Sequence, residues 1–300
     1  MTSRVVDPGR VSETPLVAPG ATGGLLDVFR RRYLLRLLVQ KELAARYQGS
    51  FLGLLWSYVQ PLTRFVMYYF VIGIVLGLHK NVENFAIHIF CGLVFVHYFT
   101  ETFSSGTRSI VRNRQLVKKM ALPREMFPVS AMLVSLYHTV PQMVILTIAS
   151  WAIGWTPTVS AFFGALLGFM IIGTFGMSLA LLFSAANVFF RDFQNVVSTL
   201  TQFIHYAVPM IYPFSKLAES SLGGTWVETV YLMNPIAEAV LLLQNLFWVS
   251  TTSNPAATAA TDLPDHLFTR GLIEFAVCLV VLALSQLAFT RLENKFAERL

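Results

Sequence analysis

The chain has 300 residues, of which 55% are hydrophobic and only 13% charged, with a formal net charge of +6. Soluble domains carry about 25% charged residues, and that deficit, with a mean hydropathy of +0.61, excludes an ordinary soluble globule. The basic residues flank apolar runs and form no nucleic-acid motif, so they report membrane topology and exclude nucleic acid as a partner.

Residues 1–24 hold Pro8, Pro15, Pro19, Gly20, Gly23 and Gly24 and no apolar run, which predicts a flexible cytoplasmic tail and no signal peptide. Residues 25–50 are predicted to form an amphipathic interfacial helix on the cytoplasmic face of the membrane. On a helical wheel Asp27, Arg30, Arg31, Lys41 and Glu42 share one arc, while Leu25, Val28, Phe29, Tyr33, Leu35, Val39 and Leu43 share the other. Arg32 and Arg36 intrude on the apolar arc, where their long stems reach back to headgroups.

The transmembrane domain, residues 51–290, is predicted to contain six spans: Leu62–Leu78, Phe85–Phe103, Ser130–Gly154, Ala161–Phe183, Val197–Tyr212 and Phe268–Thr290. Of the 22 Lys and Arg, only Lys80, Lys216 and Arg270 fall on the loops opposite the termini. The positive-inside bias therefore places both termini, including the tail 291–300, in the cytoplasm. Between spans five and six, the segment WVETVYLMNPIAEAVLLLQNLFWV (Trp226 to Val249) is cut by Pro235 into two short halves containing Glu228 and Glu238. Neither half spans alone, and irregular backbone at membrane depth needs protein or a water-filled cavity around it. An external re-entrant helix pair is predicted there, within an all-α membrane fold.

No GxxxxGK[ST] phosphate loop, HExxH or GxSxG occurs, and neither the six histidines nor Cys91 and Cys278 show metal-ligand spacing. No catalytic residue, cofactor or metal is predicted in this chain. Ionisable groups are expensive inside spans, so Arg64, Glu101 and Glu274 are read as lying near span ends or in structural pairs. His88 and His97, nine residues apart, face opposite sides of their helix and read as satisfied structural histidines. Aromatics are abundant, with 25 Phe, 10 Tyr and 5 Trp. Tyr58, Phe65 and Tyr69 share a helix face by spacings of seven and four. Flat rings with polar tips suit the apolar face and hydroxyl edge of a sugar. The loop RNRQLVKKMALPREMFP (Arg112 to Pro128) is short and basic, and Leu116, Val117 and Met120 give it an apolar helix face for a partner's groove. The turn with Arg191 and Asp192 offers a similar contact.

In order along the chain, RYQGSFLGLLWSYVQPL, NRQLVKKMALPREMFP, FFRDFQNVV followed by VPMIYP, and YLMNPIAEAV resemble the type-2 ABC permeases that export polysaccharides. The likeness is greatest to the O-antigen, teichoic acid and galactan exporters and covers about residues 25 to 295. It implies a homodimer of six-span subunits bound to two copies of a separate nucleotide-binding subunit that holds ATP and Mg, in the bacterial inner membrane. It further implies a polyprenyl-diphosphate-linked glycan as cargo, with Tyr58, Phe65, Tyr69, Phe203 and Tyr206 lining its path. The coupling contact maps onto Asn113, Leu116, Val117, Lys118, Met120 and Phe127, with Arg191 and Asp192 at the second turn. Asn234 and Pro235 map onto the external gate, and Arg30, Arg31, Arg32 and Arg36 would meet the lipid diphosphate at the entrance. Two rivals share these features: an exporter of a small lipid or drug, and a membrane enzyme acting on polyprenyl-linked sugars. The enzyme would need grouped carboxylates, whereas the external acids Glu219, Glu228, Asp262 and Asp265 are scattered.

Overall fold

The computed structural model describes residues 24–120, 122–221 and 223–300, so the tail predicted over 1–24 lies, but for Gly24, outside the described residues. The chain begins with α1 (Leu25–Arg30) and α2 (Arg32–Tyr47), separated at Arg31 by φ −96° and ψ 38°. That break resets the helical phase and corrects the single predicted wheel. Val28, Leu35, Leu38 and Glu42 turn inward, whereas Phe29 and Tyr33 remain 66% and 70% exposed. Val28, Leu35 and Leu38 pack with Ile110, Val117, Phe127 and Leu181 in a cluster that closes this basic end of the bundle.

After α2 the backbone turns through Gly49 at φ 75°, a conformation that favours glycine. α3 (Trp56–Tyr68) then starts ahead of the predicted Leu62, keeps Pro61 inside the helix, and widens into a π-helical segment, Tyr69–Val75. The chain continues through α4 (Phe85–Arg112), α5 (Arg114–Lys119), α6 (Met126–Ala152), α7 (Val159–Phe189) and α8 (Phe193–Ile204). It ends with α9 (Phe214–Ala218), α10 (Trp226–Leu232), α11 (Pro235–Phe247), α12 (Pro255–Asp262), α13 (Leu267–Glu293) and α14 (Phe296–Arg299), with no strand among the described residues. Five elements are long and apolar enough to cross a membrane: α3 with its π segment, α4, α6, α7 and α13.

α4 and α7 form the centre. α7 packs on α4, α11 and α13, and α4 also packs on α6, α8 and α11. Their crossing is close because it uses small residues: a Cβ on Gly106 would lie 2.5 Å from the Cβ of Ala180.

The fifth predicted span, Val197–Tyr212, needs correction. Helix α8 stops at Ile204, because a helix continued to Pro209 would drive the proline ring into the carbonyl of His205. Its 12 residues rise only about 18 Å. The chain nevertheless runs on beside α4: Asn195 and Ser198 lie with Thr107 and Arg108, while Met210 presses on Gly92 fifteen residues back along α4. That stretch of α4 measures about 22 Å, so α8 and its non-helical continuation together accompany most of the helix. Three carbonyls freed by the break are met by side chains. Tyr212 Oη donates to Tyr206 O at 3.1 Å, Asn234 Nδ2 to Ala207 O at 3.1 Å, and Gln244 Nε2 to Pro209 O at 2.7 Å.

Helices α10 and α11 meet at a bend of 72°. Asn234 caps α11 by accepting from Ile236 N at 3.0 Å, and Pro235 occupies the first turn, where no N–H is missed. The chain enters and leaves this pair at the same end of the bundle. Before it, Ser215 bonds Asp262; after it, Asn84 Nδ2 donates to Thr251 O at 2.7 Å and Trp248 Nε1 to Glu83 O at 2.7 Å.

Two predictions follow from this packing. A Cβ on Gly92 would lie 2.3 Å from Met210 Cγ and 2.9 Å from its Cα, so Gly92→Ala is expected to destabilise by about 1–3 kcal/mol, read as a lower thermal midpoint in detergent. The Glu83 carboxylate accepts from the Ser253 hydroxyl and, at 3.0 Å, from the Ser253 amide, and these bonds hold its pKa below the ordinary 4.5. A depressed carboxylate stabilises above its ordinary value and loses that contribution as pH falls through the folded one. The midpoint advantage over Glu83→Gln is therefore expected at neutral pH and should close progressively in acid below 4.5; a constant difference across that range would refute it.

Candidate functional site

Polar residues recur along α3 as Gln60, Arg64 and Tyr68, along α4 as His97, Glu101, Ser104 and Arg108, and along α8 as Ser198, Thr201, Gln202 and His205. Steps of three and four place each set on one helix face. The three faces converge on a cleft of about 520 Å³, which Thr100 and Tyr206 also line. Toward the basic end lies a second cavity of about 570 Å³, bounded by Glu42, Arg46, Glu101, Arg108, Arg112 and Gln194 among others. A smaller space of about 190 Å³ sits in the elbow between α2 and α3, beside Tyr47, Ser57, His97 and His138. The three spaces adjoin through shared walls, Arg46 between the cavity and the elbow and Glu101 and Arg108 between the cavity and the cleft, and line up as a groove from the α2 surface to the level of Tyr68 and Tyr206.

Two ion pairs fasten α2 to α4 along this groove. Arg46 Nη1 meets Glu101 Oε1 at 2.7 Å, and Ser105 Oγ donates to the same oxygen at 2.9 Å. Nearer the basic end Arg112 bonds Glu42, whose other oxygen accepts from Asn113 Nδ2 at 2.9 Å. Lys41 Nζ donates to Asn113 Oδ1 at 2.5 Å. Glu101 is thus the structural pair expected of it. Arg64 and Arg108 line the cleft without a carboxylate at ion-pair distance among the described residues, although Arg108 Nε donates to Ser104 O at 3.3 Å. The groove carries surplus positive charge.

The aromatics expected to line a path are divided by the structure. Tyr206 lines the cleft and Phe203, near it on α8, is 66% exposed. Phe65 and Tyr69 instead stack on each other at 5.9 Å, with Phe90 edge-on to Phe65 at 5.4 Å and Phe85 at 6.5 Å from Tyr69. They pack against the core, and Tyr58 is half-buried outside the cleft lining. The face that does line the cleft is the neighbouring one, Gln60–Arg64–Tyr68. Its signal in the sequence was the four-residue polar repeat, which the aromatic count overshadowed.

The residues expected to couple to a partner are divided in the same way. Lys118 and Met120 are exposed and Leu116 half-buried, as are exposed Arg191 and Asp192 at the neighbouring turn, whereas Asn113, Val117 and Phe127 are buried. Val117 and Phe127 belong to the core cluster of the basic end, and Asn113 to the Glu42 network. Arg30, Arg32 and Arg36 are exposed on α1 and α2, and Arg31 pairs with Asp27 at 3.2 Å. Asn234 and Pro235 occupy the bend of α10 and α11. Among the described residues no group of three or more His, Cys, Asp or Glu is placed to hold a metal ion.

Exposed ion pairs contribute about 0–1 kcal/mol, while removing one partner of a buried pair costs about 3–5 kcal/mol. Glu42 is 7% exposed but Arg112 is 51% exposed and recovers hydration. Glu42→Ala is therefore expected to lower stability by an intermediate amount, about 1–3 kcal/mol, measured as a drop in thermal midpoint that Glu42→Gln partly restores.

The family model described as ABC-2 type transporter matches residues 33–248. The chain is 30% identical over 222 residues to the O-antigen export system permease protein RfbA of Myxococcus xanthus, covering 74% of this chain and 83% of that one. A protein of the same name from Klebsiella pneumoniae is 29% identical over 267 residues, covering 88% of this chain and 94% of that one.

Proposed function

The chain belongs to the ABC-2 type transporter family, and from that premise we propose that it is the permease subunit of an ATP-driven exporter. Its cargo is a polyprenyl-diphosphate-linked polysaccharide of O-antigen or galactan type, moved from the cytoplasm across the bacterial inner membrane. The observation that carries the reading is the polar groove: three helices of an otherwise apolar bundle turn hydroxyl, amide, imidazole and guanidinium groups toward one long open cleft. Polar side chains at that depth are costly unless they meet polar partners. Sugar hydroxyls would satisfy them, and a small apolar lipid or drug would not.

The sequence has no phosphate-cradling loop, so ATP and Mg are assigned to a separate nucleotide-binding subunit, two copies serving a homodimer of this chain. In this reading both termini are cytoplasmic and the exposed side chains around α5, Lys118 and Met120 among them, meet that subunit, with Arg191 and Asp192 beside them. A second copy of the chain closes the open side of the cleft, beside Phe203 at the end of α8 and Tyr206 just beyond it. Arg30, Arg31, Arg32 and Arg36 face the headgroup layer and hold the lipid diphosphate near the groove mouth. That pull reaches only about a Debye length, ~8 Å at physiological salt. Asn234 and Pro235, at the bend tied to the unwound end of α8, form the external gate.

Loss of the chain from its host is expected to leave the lipid-linked glycan on the cytoplasmic side and deplete it from the cell surface. A plasmid copy should restore export only when the nucleotide-binding subunit hydrolyses ATP. Surface glycan at normal levels in the null strain would overturn the proposal.

A further inference from the structure

The Arg46–Glu101 pair stands where the groove's three spaces meet. Arg46 lines the cavity at the basic end and the elbow space, and Glu101 lines that cavity and the cleft. Arg46 is 35% and Glu101 19% exposed, and each borders two of the spaces. Arg108 lines the cavity and the cleft alike and has no carboxylate partner among the described residues. An arginine with an acid beside it and a second, unmatched arginine within the same wall makes a receptor for an anion stronger than the acid.

We propose that this pair is a displaceable latch at the junction of these spaces, and that a phosphate ester opens it. A diphosphate offers more acceptor oxygens and more negative charge than a carboxylate, and planar guanidinium groups bind such oxygens in pairs. The anion takes Arg46 from Glu101 and gains Arg108 as a second donor. Glu101 is repelled by the like charge and keeps its Ser105 hydroxyl donor. Once the anion has moved past Arg108 toward Arg64, the pair re-forms behind it and opposes return. The inference rests on the cargo reading above and deepens it, by assigning recognition of the cargo's phosphate to Arg46 and Arg108.

The test is binding to the purified full chain in detergent, with geranylgeranyl diphosphate, geranylgeraniol and inorganic diphosphate as probes. The prenyl diphosphate is expected to bind and the prenol to bind much more weakly. Arg46→Gln and Arg108→Gln should each weaken the diphosphate by roughly tenfold, the loss of one strong contact. Glu101→Gln should tighten it several-fold, because the competing anion is gone; a merely structural pair would show loss or no change in that variant. Since Glu101→Gln keeps the side chain's shape and is read as a gain, misfolding does not mimic it. Unchanged affinities in all three variants, with normal binding by the unaltered chain, overturn the latch alone. No binding of the prenyl diphosphate by the unaltered chain overturns both the latch and the cargo reading. Equal binding of inorganic diphosphate overturns the lipid-linked assignment.

Discussion

The fold turns on one unpaired stretch of backbone. The segment that starts as α8 ceases to be helical at Ile204, and the carbonyls it frees need donors from elsewhere in the fold. Tyr212, Asn234 and Gln244 supply them, and two of the three come from the bent pair α10 and α11. The bent pair is therefore the hydrogen-bonding complement of the broken crossing and not a loop laid over its end. Asn234 serves both sides at once, capping α11 through Ile236 N while donating to Ala207 O. Gln244 joins the same non-helical segment to α4, where the carbonyl of His88 lies 3.4 Å from its amide. Two features that look like separate irregularities are one solution.

Around that solution the bundle divides into a tightly packed centre and a looser wall. α4 and α7 approach closely through Gly106 and Ala180, and α4 is buried along most of its length. α3 and α8 touch this centre on one face only and leave many of their side chains exposed. The groove lies between the two kinds of helix. Its charges are tolerable because they are matched: Glu42 with Arg112 and Asn113, Glu101 with Arg46 and Ser105. Arg64 and Arg108 are the exceptions, and they share the cleft, so the surplus of positive charge is concentrated there.

Much of this was legible in the residues. Apolar run length located α4, α6, α7 and α13, and Pro235 marked the bend of α10 and α11. Run length also misled at the fifth crossing, because Val208, Met210 and Ile211 read as a continuing apolar helix while Pro209 forbids one. The wheel drawn through residues 25–50 failed for a similar local reason, since nothing in the sequence signals the change of backbone angle at Arg31. Tyr58, Phe65 and Tyr69 form a real helical stripe, but Phe85 and Phe90, residues whose contact is set by tertiary packing, claim two of its members for the core. The adjacent stripe Gln60–Arg64–Tyr68 was visible by the same spacing. Its meaning depended on α4 and α8 presenting matching polar faces, which no single segment reveals.

The position of α2 joins these observations into a mechanical sequence. Glu42 and Arg46 lie one turn apart on it, and each is fixed to α4 by a different partner. Glu42 is bound to Arg112 and Asn113, the two residues that immediately precede α5, the short helix that the proposed function sets against the nucleotide-binding subunit. A displacement of α5 therefore reaches Glu42 through side chains without crossing flexible backbone. Because α2 is helical between Glu42 and Arg46, the same displacement is delivered one turn later to Arg46, where the spaces of the groove meet. Lys41, bonded to Asn113, reinforces the link from the opposite side of the network. In the proposed function, the charge on α2 that would receive a phosphate and the α5 contact that would meet the nucleotide-binding subunit are thus joined through Glu42, Arg112 and Asn113.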